Sequence, residues 1–183
     1  MHSDDARMSW AWLWWLVPAV LLFWAVGAYN RLTRLRGDAV AAFAHLDARW
    51  QQQIGLALAS VPPHVGNGLG DEPWSGLRAA AQGLSLAMGA LRQNTLDAGR
   101  ATAAVAARTE LIDAWLQVQQ GARDLAGDLL PETVVQQWQM GLGECDHLGR
   151  QFNAAVQQYN EAVQQFPALI LARAFGFQPG CGL

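Results

Sequence analysis

The sequence predicts an all-α protein, an N-terminal transmembrane helix followed by an antiparallel up-and-down four-helix bundle. Three observations predict it. Ser9 to Ala28 reads SWAWLWWLVPAVLLFWAVGA and holds no Asp, Glu, Lys, Arg or His. Four later stretches repeat apolar residues at steps of three and four, the period of one helix face. No stretch alternates with period two, so no sheet is expected.

Twenty helical residues span about 30 Å, the thickness of a bilayer's hydrocarbon core. A helix satisfies its own backbone, which lipid requires. Arg7 and Arg31 close the run on its two sides. Trp10, Trp12, Trp14 and Trp15 crowd its first third, and tryptophan favours the headgroup level. Pro18 removes one helix hydrogen bond, which membrane helices tolerate. Val26-Gly27-Ala28 has the small residues of a signal-peptide cleavage site. The run is longer than an h-region of about 7–15 residues, and Asp4 and Asp5 precede it, which argues against cleavage. A buried core helix of a soluble protein is the other alternative; an apolar surface on all sides with this much Trp disfavours it. Arg7 stands alone on the leading side, whereas Arg31, Arg34 and Arg36 follow the run. The positive-inside rule then gives an outside tail over 1–8, a span over 9–28 and a cytoplasmic body.

The chain has 183 residues and a formal net charge of −3. It has no lysine, and beyond Gly37 eight arginines face thirteen acids, a balance of −5. A mildly acidic body lacks the basic face of a nucleic-acid binder. Cys145 and Cys181 make no disulfide framework, and a cytoplasmic body keeps both reduced.

Leu32, Leu35, Ala39, Phe43, Leu46, Trp50, Ile54 and Ala57 form the first stripe, on a helix from Tyr29 to about Ser60 that continues from the anchor. Pro62 to Pro73, with three prolines and three glycines, reads as a loop. A second helix starts near Asp71, a capping residue, with Trp74, Leu77, Ala81, Leu84, Met88 and Leu91 on one face. Gln93-Asn94-Thr95 is the weakest break in the chain. A third helix covers roughly Leu96 to Ala126, with Ala104, Leu111, Trp115, Val118, Ala122 and Leu125 aligned and an alanine-rich first half that admits a close neighbour. Gly127 to Pro131 ends it. The fourth runs from Pro131 to Phe166 with Val135, Trp138, Leu142, Cys145, Phe152, Val156, Tyr159, Val163 and Phe166 inward; Pro167 stops it. Leu169 to Phe177 is a short apolar segment, and 178–183 a C-terminal tail. Stripes this long need one another, and packing the helices antiparallel round one core buries them all.

Site chemistry is sparse. Glu144 and His147 have the Glu-x-x-His spacing of di-iron bundles, but that site needs a second such pair and further carboxylates. Neither His45 nor His64 has a glutamate three residues before it. The expectation is a buried Cys145 flanked by exposed polar residues. There is no G-x-S-x-G elbow, and a P-loop needs a lysine. No catalytic residue, cofactor or metal is expected. Gly76, Gly83 and Gly89 are candidates for close helix packing, and Gln51-Gln52-Gln53 and Gln136-Gln137 for solvated faces.

Both ends resemble a known family. Tyr29-Asn30-Arg31-Leu32-Thr33-Arg34-Leu35-Arg36 follows the membrane helix, and Ala42-Phe43-Ala44-His45-Leu46-Asp47 comes next. The far end has Phe152 to Val163 with Tyr159-Asn160-Glu161-Ala162-Val163, then Phe166-Pro167 and Phe175-Gly176-Phe177. This resembles the LemA family of bacterial membrane proteins, with its Tyr-Asn-x-Leu-x-x-Leu-Arg entry, Tyr-Asn-x-x-Val late helix and Phe-Pro…Phe-Gly-Phe ending. The likeness covers about residues 10–60 and 130–179, with the bundle over 29–177. It departs where the family has a basic stretch and an Ile/Leu-Pro-Asn-Leu-Val segment: Gln51 to Pro63 is neutral here, and the middle of the chain has no counterpart. The resemblance implies a helical bundle on one N-terminal span in the inner membrane, with Phe-Gly-Phe packed near the first helix or the bilayer. It brings no catalytic residues.

The expected function is therefore a non-enzymatic interaction or scaffold module. Its partners are the lipid bilayer and either a protein or a second copy of the chain, with no nucleic acid. One alternative is a sensor bundle that binds a small ligand between helices. Another is a lipid-handling protein with Leu169–Phe177 in the bilayer interface.

Overall fold

The computed structural model describes residues 5–63, 72–124, 130–165, 169 and 175–183. They form four α-helices and no strand: α1 (Asp5–Ala59), α2 (Glu72–Gln93), α3 (Ala98–Asp124) and α4 (Glu132–Gln164). Several expected features lie outside the described residues. They are the Asp71 cap, the interior of the Pro62–Pro73 loop, the side chains of Trp10 to Trp15 and of Ala122, Leu125, the Gly127 stop, the Phe166-Pro167 stop and most of Leu169–Phe177.

α1 is one helix of 55 residues, through Pro18 and on past Gly27 and Gly37. At 1.5 Å per residue it is about 80 Å long. Its two halves live in different surroundings. From Leu16 to Val26 the apolar side chains are exposed except for half-buried Ala25, and Phe23 is 84% exposed. From Leu32 onward the stripe is core: Leu32, Ala39, Phe43, Leu46, Trp50, Ile54 and Ala57 are all buried. A core helix would hide the first half too. By length and composition, α1 is a helix long and apolar enough to cross a membrane.

The other stripes point inward as their periodicity requires. Leu77, Ala81, Leu84, Met88 and Leu91 are buried on α2, and Ala101, Ala104, Leu111, Trp115 and Val118 on α3. On α4, Trp138, Cys145, Phe152, Val156, Tyr159 and Val163 are buried. α1 packs on both α4 and α2, and α2 packs on α3. Partners along α1 and α4 run in opposite order: Phe43 meets Phe152 at 5.7 Å between ring centroids, Arg49 pairs with Glu144, and Gln53 reaches Trp138. α3 meets α4 where Trp115 and Trp138 stack, 4.2 Å apart and 14° from parallel. Such a pair adds about 0.5–1.5 kcal/mol beyond the area it buries.

The break between α2 and α3 is real, and side chains make it. Asp97 Oδ1 accepts the Arg100 N–H at 2.8 Å, capping α3. The Arg100 guanidinium reaches back to the Ala90 carbonyl in the last turn of α2, also 2.8 Å, where cations suit a helix C-terminus. Across α1 and α2, Asp47 takes two bonds from Arg92, at 2.7 and 3.3 Å.

Two expectations are corrected here. Gln53 is not on a solvated face; it is 1% exposed and donates to the Trp138 carbonyl at 3.0 Å. Gln51 is half-buried, while Gln52, Gln136 and Gln137 are exposed. Gly76, Gly83 and Gly89 are not packing notches either, since a Cβ on any of them meets nothing within 4 Å. The notch is Gly141 on α4, where a Cβ would run into the Gln53 side-chain amide and lie 2.8 Å from the Arg49 guanidinium. The missing side chain is what lets Gln53 reach the backbone of α4.

Candidate functional site at the base of the bundle

The motif Glu144-Cys145-Asp146-His147 separates into outward and inward parts. Cys145 is buried, while Glu144, Asp146 and His147 are exposed. Glu144 lies 2.6 Å from Arg49 Nε, and His147 Nε2 sits 3.0 Å from Gln151 Nε2. Burial pushes the Cys145 thiol up to about 12, with Arg49 opposing the shift, so the free thiol stays protonated near neutral pH. Among the described residues no three His, Cys, Asp or Glu side chains gather round a point.

Polar groups converge elsewhere, where the bare half of α1 meets the bundle. The tail makes this place. Gly176 has φ +72°, a left-handed conformation that a side chain disfavours. The turn there brings Phe175 and Phe177 to either side of Tyr29 on α1, at 5.3 and 5.9 Å between centroids. Beyond it the tail crosses α4. Tyr159 Oη donates to the Gln178 carbonyl at 3.1 Å. Asn160 donates to the Gly180 carbonyl (2.8 Å) and accepts the Gly180 N–H (2.7 Å). Asn153 does the same with Leu183, at 2.6 and 2.8 Å. The Cys181 N–H reaches the Leu96 carbonyl in the α2–α3 turn.

The spacing explains the fit. Two asparagines seven apart on a helix are about 10.5 Å apart along its axis. Three residues of extended chain span about 10 Å. Each asparagine amide then pairs with a main-chain N–H and C=O as a neighbouring strand would. The docked backbone has to lie close, and both glycines serve that: a Cβ on Gly180 would sit 2.7 Å from Leu96 Cδ2, and one on Gly182 would overlap the Asn153 carboxamide. Residues 178–183, set apart as a tail in the sequence, are thus held on the bundle.

Two cavities flank this clasp. A polar cleft of about 410 Å³ is lined by Arg36, Asn94, Asp97, Tyr159, Phe177 and Gln178 among others. Burial raises the Tyr159 phenol above its ordinary value, with Arg36 pulling the other way. Tyr159 therefore stays protonated and keeps its bond to Gln178. An apolar cavity of about 300 Å³ lies on the other side, lined by Leu22, Ala25, Val26, Tyr29 and Phe175. The void inside the core beside Trp50, Leu84 and Met88 is only about 10 Å³. Sequence reading missed the cleft because its walls come from α1, the α2–α3 turn, α4 and the tail.

Compared with known proteins, the chain matches no family model, no curated protein and no solved structure.

Proposed function

We propose that this chain is a single-pass, membrane-anchored helical bundle of the LemA type, and that it acts as a non-enzymatic interaction or scaffold module at the bacterial inner membrane. Its N-terminal tail lies outside and its antiparallel up-and-down four-helix body in the cytoplasm. One observation carries the reading: α1 is a single helix whose apolar stretch from Leu16 to Val26 is largely bare and whose other half is core. Bare apolar area of that extent is unfavourable in water and at home in lipid. The exposed arginines 31, 34 and 36 directly after it support the orientation. The partner is a protein or a second copy of the chain.

Crosslinking in intact cells followed by mass spectrometry tests the module reading: repeated recovery of one protein partner or a self-pair is the expected result, and lipid adducts alone would refute it. An impermeant thiol reagent tests the topology. It should leave a cysteine engineered at the exposed Arg78 unlabelled until cells are opened; labelling of intact cells inverts the orientation.

The cleft favours a second reading, a sensor. Its volume of about 410 Å³ lies in the range of small-molecule sites of about 300–1,000 Å³, and polar groups converge on it. The ligand would sit at the base of the bundle, where this cleft lies.

A further inference from the structure

The polar cleft and the apolar cavity share one wall. Phe175 lines the apolar side, and Gly176, Phe177, Gln178 and Pro179 line the polar side. On α1, Leu22, Ala25, Tyr29, Leu32 and Arg36 follow at steps of three and four. Both cavities therefore open on one face of one helix. Leu22 and Arg36 are fourteen residues apart, about 21 Å along the axis. Counted from Ala28, where the apolar run ends, Leu22 lies about 9 Å inside the hydrocarbon and the Arg36 backbone about 12 Å outside it. The long Arg36 side chain meets the headgroup layer of about 5–7 Å by reaching back along the helix. The apolar cavity has no polar side chain except the Tyr29 hydroxyl at its end. The cleft has one cation, Arg36, and one acid, Asp97, whose carboxylate already accepts the Arg100 N–H.

We propose that the two cavities are one bipartite site for a single phospholipid with an anionic headgroup. An acyl chain lies along Leu22, Ala25 and Val26 under Phe175, and the phosphate lies in the cleft against Arg36 with the Asn94 amide beside it. The shared chemistry is a phosphate with net negative charge, which a free ion also offers and zwitterionic phosphatidylcholine does not. The lipid is favoured because an apolar groove lies across the aromatic clasp from the cleft, and water fills such a groove poorly while a hydrocarbon chain fills it well. The aromatic clasp of Tyr29, Phe175 and Phe177 forms the boundary between chain and headgroup, the depth at which aromatic rings gather. This inference rests on the membrane-anchor reading.

The test uses the full chain in detergent micelles, with bound lipid counted by native mass spectrometry. Phosphatidylglycerol, phosphatidylcholine and inorganic phosphate are offered in separate arms. One phosphatidylglycerol per chain should be retained, about fivefold over phosphatidylcholine, the gain expected of one arginine at an anionic headgroup. Arg36→Gln should remove the preference and leave some retention. Ala25→Trp, which fills the groove, should remove retention of both lipids. Arg78→Gln, an exposed arginine on α2, should change nothing. Equal retention of the two lipids, or an unchanged preference in Arg36→Gln, overturns the proposal. Displacement of phosphatidylglycerol by millimolar inorganic phosphate overturns it as well, leaving a site for free anions only. A carbonate wash of membranes separates the two failures. Release of the chain without detergent refutes the anchor itself, whereas a retained chain with no headgroup preference refutes only the lipid site.

Discussion

Asn160 and Gly180 bond to each other twice, the side-chain amide giving to the glycine carbonyl at 2.8 Å and taking the glycine N–H at 2.7 Å. One turn-free stretch of tail is thereby locked to a helix by a side chain that mimics backbone. Asn153 repeats the device at Leu183, so the two together fix the register of the docked tail.

Asn160→Ala should free the tail while leaving the helices intact. Each neutral hydrogen bond contributes about 0.5–1.5 kcal/mol net, so the loss is about 1–3 kcal/mol for local docking. Hydrogen exchange checks it: amides over 178–183 should lose protection with no change in helical circular dichroism. Equal protection in the variant would mean that Asn153 and Tyr159 suffice.

Glycines in α2 and α4 should respond with opposite signs. Gly141→Ala forces Gln53 and Arg49 away from α4 and should destabilise by about 1–3 kcal/mol, the usual cost of overpacking. Gly83→Ala meets open space and should stabilise by about 0.5–1 kcal/mol by restricting the unfolded chain. Thermal unfolding of the detergent-solubilised chain distinguishes the two.

Alkaline pH should weaken the fold through two buried acids. Burial raises Cys145 from 9.0 to about 12 and raises Tyr159 above 10.0. A raised folded-state value means that the unfolded chain loses its proton first. The contribution is complete below the unfolded values and disappears as pH rises from about 9 through the folded ones. Cys145→Ala should therefore lose less stability than the parent between pH 9 and 11, measured by urea unfolding. At pH 8 the Cys145 thiol of the folded chain should resist alkylation.

Gly176→Ala should loosen the aromatic clasp. A left-handed φ costs an L side chain about 1–2 kcal/mol. Phe175 and Phe177 would then leave Tyr29, and chymotrypsin should cut after Phe177 faster than in the parent.

The helices were legible because burial follows a local period. Every described position of the first stripe is buried except Leu35, which is half-buried. Gln53 was misread from its polarity, although its register, three residues after Trp50 and four before Ala57, marks it as inward. The α2–α3 break was the faintest signal because Asp97 and Arg100 make the turn through side chains, and neither belongs to a stripe. Of the site, only the packing of Phe-Gly-Phe near the first helix was expected, through the family resemblance, and Phe175 and Phe177 do lie against Tyr29. Asn153 and Asn160 lie between the apolar positions of the fourth helix with nothing to set them apart from its other polar residues, and Gly180 and Gly182 fall in the tail over 178–183. Only the folded chain matches seven residues of helix to three of extended tail, and that pairing has no period to detect.

The length of α1 has a mechanical consequence. From Ala28 to Ala59 it carries about 46 Å of unbroken helix beyond its apolar half. A tilt of ten degrees at Ala28 would swing the far end by about 8 Å, with no joint in between to absorb the motion. Since the Gln53 amide ties α4 to that lever and Arg92 ties α2 to it, any tilt of the apolar half displaces the whole body rather than a loop.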